Sequence, residues 1–93
     1  MTKYHVVLVT RTLVRGTDTA SVLKLLEDSK RVPAQKSEPK TEPCIESQTD
    51  YWVSVNLFAF SRQYWAIAYL CRAGWEPFAV DAYDFYFRRT IEA

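Results

Sequence analysis

The chain has 93 residues, 48% hydrophobic and 15% aromatic, with 12 Lys and Arg against 11 Asp and Glu for a formal net charge of +1. That length suits one domain with a thin core. The near balance of charge lacks the basic excess of a general nucleic-acid binder, and no apolar run approaches the ~20 residues of a membrane-spanning helix.

Tyr4 to Val14 is rich in β-branched residues and predicts a first strand. Tyr4, Val6, Leu8 and Val14 fall on one face, and Val7, Val9 and Leu13 on the other. Apolar residues on both faces predict a central strand covered on both sides, ended by Gly16. Thr17-Asp18-Thr19 offers three N-cap candidates for a first helix, whose buried stripe is Val22, Leu25 and Leu26. Pro33 ends that helix.

From about 32 to 50 the composition changes. Pro33, Pro39 and Pro43 stand among Lys, Glu, Ser, Gln and Thr. Such a stretch buries too little apolar area to offset its ordering entropy. It predicts a long flexible connection, with Cys44-Ile45 as its only apolar anchor should it order on a partner.

Tyr51 to Phe60 predicts the clearest strand. Tyr51, Val53, Val55, Leu57 and Ala59 form the helix-covered face, and Trp52, Ser54, Asn56, Phe58 and Phe60 the other. A second helix follows, with Ser61 as N-cap and Ala66, Ile67, Leu70 and Cys71 as its apolar face. Gly74 follows the last periodic residue, where a C-terminal cap needs positive φ. Trp75 to Asp81 predicts a strand that Pro77 confines to an edge or a bulge. Asp84 to Arg89 predicts a last strand, with Phe85 and Phe87 on one side and Tyr86 and Arg88 on the other. The expected fold of residues 1–93 is therefore a single α+β domain in the order β-α-long loop-β-α-β-β. Its four-stranded, mainly antiparallel sheet carries two helices on one face.

Tyr51, Val53, Leu70, Gly74, Trp75, Glu76, Val80, Tyr86, Phe87, Arg88 and Arg89 form a pattern of their own. A strand leads to a helix ending in Leu and Gly, a Gly-Trp-Glu corner, and a hairpin ending in aromatic and basic residues. This second half resembles a family of small bacterial and phage domains of unknown function. The resemblance covers under half the chain, and Pro77 departs from the usual aliphatic residue after Glu. It implies a fold and no activity.

His5 is the only histidine, and Cys44 and Cys71 lack metal-ligand spacing, so no metal site is expected. The two cysteines suggest free thiols, not a disulfide framework. The run Val6–Val9 is too short for a signal-peptide core and is interrupted by Arg11, which predicts a cytoplasmic protein. Glu76, Asp81 and Asp84 flank a predicted turn, where carboxylates usually cap or stay solvated. Gly16 and Gly74 are the only glycines, which leaves no phosphate loop. No catalytic residue and no cofactor are expected.

Two aromatic groups remain as candidate binding residues. Arg62, Trp65, Tyr69 and Arg72 share a stripe of the second helix, and Trp, Tyr and Arg dominate interface hot spots. They either form an interface or widen the core. Trp52, Phe58, Phe60, Tyr86 and Arg88 lie on the sheet face away from the helices, which needs cover. The expected function is a small non-enzymatic interaction module, a phage or bacterial accessory protein that binds and inhibits a host protein or pairs with a second copy of itself. The alternative is a single-stranded nucleic-acid binder using Tyr86, Arg88 and Arg89 together with Arg62 and Arg72. No membrane partner is expected.

Overall fold

The computed structural model describes residues 3–91. Among them are six strands and two helices: β1 (Tyr4–Thr10), β2 (Leu13–Gly16), α1 (Thr19–Ser29), β3 (Cys44–Gln48), β4 (Val53–Asn56), α2 (Phe60–Arg72), β5 (Glu76–Asp81) and β6 (Asp84–Thr90). The strands form one sheet in the order β3-β4-β2-β1-β6-β5, and every neighbouring pair is antiparallel. Three hairpins are thus separated by two helices. The class is α+β, as expected, but the sheet has six strands and not four.

The first added strand comes from a turn inside the expected strand 4–14. Arg11, at φ 52, and Thr12 reverse the chain, and Val9 pairs with Val14. A turn without Gly, Pro or Asn leaves no mark in the sequence. The reversal also changes which residues share a face. Val7, Val9 and Val14 are fully buried with Phe87, whereas Val6 and Leu8, expected beside Val14, lie half-buried on the opposite side. β1 is central, as expected, but only one of its faces is covered.

The second added strand lies within the connection 32–50. Cys44–Gln48 pairs with β4 at the edge of the sheet, and the backbone N–H of Thr49 donates to the carbonyl of Trp52 at 2.8 Å. All five residues of β3 are exposed. An edge strand with no buried face shows no alternation to read. The rest of the connection is tied to α2 through Glu38 and Arg62.

β4 is shorter than expected. It ends at Asn56, and Phe58 follows with φ 64. Val53, Val55, Leu57 and Ala59 are buried as predicted, but Tyr51 is exposed. Ala59, without a side-chain bond, occupies the N-cap of α2. Ser61 is the second residue of the helix and is bonded from afar. Its hydroxyl donates to Glu38 Oε1 at 2.7 Å and its backbone N–H to Oε2 at 2.9 Å. Glu38 therefore performs the capping that a local side chain usually supplies.

The same contacts hold the Glu38 carboxyl down at about 2, from its usual 4.5, with the Ser61 hydroxyl the largest cause. A carboxylate lowered by folding stabilises fully above its unfolded value, and that contribution fades as pH falls from 4.5 toward 2. Urea titrations across that window are expected to show a steeper loss of stability in the wild type than in Glu38→Gln. Equal slopes would remove Glu38 from this role.

Asp18 caps α1, accepting from the Ser21 N–H at 3.3 Å. α2 ends as predicted. Gly74 has φ 92, and the N–H groups of Gly74 and Trp75 donate to the carbonyls of Cys71 and Leu70. Two details of this region differ from expectation. Cys71 is exposed, because the buried stripe of α2 runs through Arg62, Gln63, Ala66 and Leu70. Trp75 is buried in the core just ahead of β5. Pro77 is on an edge strand and at a shift of register, between Pro77 and Ala79.

The core brings Val7, Val9, Val14, Val53, Val55 and Phe87 of the sheet against Val22, Leu25 and Leu26 of α1 and Ala66 and Leu70 of α2. By register these sheet residues share one face. Both helices therefore lie on that face. No helix of the described residues is long and apolar enough to cross a membrane.

Candidate interaction surface

The face away from the helices carries a row that runs across four strands. Tyr86 pairs with Leu8, Leu8 with Arg15, and Arg15 with Ser54. Val6 and Arg88 are paired on the same face, with Tyr4 two residues along β1. Trp52, just before β4, lies with its ring 4.9 Å from the Arg15 guanidinium. Val6, Leu8, Arg15, Thr17, Trp52 and Tyr86 line a hollow of about 250 Å³.

Beside this hollow the Arg88 guanidinium lies 4.8 Å from the Tyr4 ring and 5.2 Å from the Phe78 ring. Glu76 holds it at 3.0 Å. The Phe78 and Tyr86 rings meet tilted, at a centroid distance of 6.2 Å. Arginine over an aromatic face is attracted by the ring quadrupole and keeps both side chains in place. Among the described residues, one buried polar side-chain atom is left over. Ser54 Oγ is buried and has no hydrogen-bond partner, a state that costs about 1–3 kcal/mol.

The helix stripe fares differently from its expectation as one surface. Arg62 is 6% exposed and donates to three carbonyls, those of Val32, Thr41 and Leu57. Trp65 and Tyr69 pack half-buried on the core with ring centroids 5.0 Å apart. The Tyr69 hydroxyl donates to Asp28 Oδ2 at 2.7 Å, joining α2 to α1. Burial, and then this bond to a carboxylate, push the phenol up to about 12. Arg72 is exposed in the last turn. The four residues do not converge on one open patch.

Of the sheet-face candidates, Trp52 and Tyr86 line one hollow, and Arg88 lies beside it. Phe58 and Phe60 do not join them, since they follow β4 while Trp52 precedes it. Phe60 instead lines a second hollow with Arg11 and Tyr83 at the turn end of the sheet. Arg89 points to the helix side. Its Nη2 is 2.7 Å from Asp18 Oδ2 and 2.9 Å from Ser21 Oγ, and its guanidinium is 4.4 Å from the Trp75 ring. Burial works to raise the Asp18 carboxyl, but its bonds from Ser21, with His5 and Arg89 nearby, outweigh it and leave it lowered. Tyr4, Val6, Leu8, Arg15 and Phe78 are the members that sequence reasoning missed. The signal was the alternation Tyr4-Val6-Leu8, grouped with Val14 on a face expected to be covered because the turn at Arg11 left no mark in the sequence.

The chain matches no protein-family model, no curated protein and no solved structure.

Proposed function

We propose that the chain is a non-enzymatic protein-binding module that works through the open face of its sheet. One observation carries this reading: an uncovered sheet face on which two arginines are laid over aromatic rings around an apolar hollow. Fixed aromatics and arginines give contact area at little cost in ordering. Such a module acts by occupying its partner, as an inhibitor does.

Single-stranded nucleic acid is the weaker reading. Arg88 is paired with Glu76, Arg89 with Asp18, and Arg62 is spent on carbonyls. Those cations form no open track along which a phosphate backbone could run.

A photo-crosslinking residue in place of Tyr86, compared with one in place of the exposed Tyr64 of α2, tests the reading in lysate of the source cells. Protein adducts are expected from position 86 and not from position 64, little changed by salt. Trp52→Ala should weaken capture roughly thirty-fold, the effect of about 2 kcal/mol at a hot spot. Adducts removed by nuclease, or equal adducts from both positions, would overturn it.

Ser54 gives a separate prediction. Removing a buried, unbonded hydroxyl costs the fold nothing, so Ser54→Ala is expected to raise stability by up to about 1 kcal/mol. Thermal and urea unfolding would show it. A loss of 1 kcal/mol or more would mean that the hydroxyl has a partner inside the fold.

A further inference from the structure

We propose that two copies of the chain pair through the outer edge of β3, antiparallel about a two-fold axis at Ile45. This rests on the two edges of the sheet and is independent of what binds the open face.

An edge strand presents unpaired N–H and C=O groups that another strand can use. The sheet has two such edges, β3 and β5. β5 is blunted. Pro77 has no N–H to offer, and Glu76 and Asp81 put a carboxylate at each end. β3 has no proline, and all five of its residues are exposed. Both edges carry a shift of register, and that of β3 falls at Glu46, between Ile45 and Ser47, which leaves Cys44 and Ile45 in regular register with Asn56 and Val55.

One competent edge and one blocked edge select a closed pair. A chain with two open edges would add copies without end, whereas a single edge can only meet itself, and an isologous contact stops at two. The side chains agree. Ile45 is 46% exposed and shares the helix-side face with Val55. Centred on Ile45, antiparallel pairing sets the two isoleucines directly opposite, where each covers the other's exposed half. Cys44 then faces Glu46 of the second copy, and no like charges stand opposite each other. A net charge of +1 adds little repulsion.

The two-fold axis is normal to the sheet, because residues opposite each other in an antiparallel pair point to the same side. The open faces of both copies therefore look the same way, and the dimer presents a doubled surface. A short edge contact belongs to the small, weak class of interfaces, so the expected Kd is about 10–100 μM, within the weak range of affinity arithmetic.

Sedimentation equilibrium of the full chain up to about 1 mM, well above that range, is expected to show a monomer–dimer equilibrium. Ile45→Glu, which sets two carboxylates opposite each other, should abolish it with the circular dichroism unchanged. A second arm does not depend on that variant folding. In a Cys44→Ser, Cys71→Ser background, Ile45→Cys places two thiols at a Cα separation of about 4.5–5.5 Å, within disulfide reach. It should form a linked dimer on mild oxidation, while Val80→Cys on β5 stays monomeric. A chain that is monomeric throughout, a dimer indifferent to Ile45→Glu, or equal cross-linking from both edges would overturn the proposal. Trp52→Ala is expected to leave the dimer intact, which separates this test from that of the open face.

Discussion

Replacing Arg62 by alanine is expected to lower stability by about 3 kcal/mol, because it strands three backbone acceptors at once. Its Nε donates to the carbonyl of Val32 at 2.8 Å, and its Nη1 to those of Leu57 at 2.9 Å and Thr41 at 3.2 Å. One guanidinium thus ties three segments together: the chain after α1, the middle of the proline-rich connection and the loop entering α2. Each buried acceptor left without a donor costs about 1–3 kcal/mol, reduced where water reaches it. Arg62→Lys keeps the charge, but its one nitrogen cannot stand at both the Nε and the Nη1 positions, so about half the loss is expected to remain. Urea denaturation measures both variants. Hydrogen exchange should show the amides from 32 to 41 opening faster in Arg62→Ala than in the wild type. A loss below about 1 kcal/mol would mean that the three bonds are replaceable by water.

Gly16→Ala is expected to cost about 2–3 kcal/mol, near the top of the range for overpacking a core. An added Cβ would lie 2.8 Å from Val22 Cγ2, 2.9 Å from Val7 Cγ2 and 3.2 Å from the Val6 carbonyl oxygen. Val7 and Val22 are buried, so neither methyl has room to retreat. Here glycine is required by the close approach of α1 to the sheet and not by its φ. Gly74 is the opposite case. Its φ is 92 and nothing lies within 4 Å of an added Cβ, so Gly74→Ala is expected to cost only the backbone strain of about 1 kcal/mol. The mechanism is separable by a cycle. If the clash is with Val22, Gly16→Ala and Val22→Ala together should cost less than the sum of their separate losses. Additive losses would refute the clash.

The proposed surface links these residues to function. The helices can cover only one face of the sheet, and the packing that Gly16 permits sets them there. The binding energy of the module is expected to come from Trp52, Tyr86 and the hollow between them, while Arg62, Trp65 and Tyr69 serve the fold. Substitutions in the two groups should therefore separate. The first should change affinity at constant stability, and the second should change stability itself.

Local chemistry was legible in the sequence wherever a residue's role depends on its neighbours along the chain. A cap within Thr17-Asp18-Thr19, Gly74 as a left-handed stop, Pro77 at an irregular edge and the alternation of Phe85 and Phe87 with Tyr86 and Arg88 are of this kind. Each follows from backbone sterics, a free N–H group or a two-residue period. The hairpin at Arg11, the strand Cys44–Gln48 and the partners of Arg62 and Glu38 are of another kind. The first turns on a residue with no turn signature, the second has no buried face, and the last two reach across 20 or more residues to Val32, Thr41 and Ser61. Their partners are chosen by the packing of the whole chain, since a charge or an edge strand finds its acceptor only after the helices have settled on the sheet. For the same reason the sequence singled out Trp52, Tyr86 and Arg88, whereas the pairing of β1 with β2 placed Val6, Leu8 and Arg15 beside them.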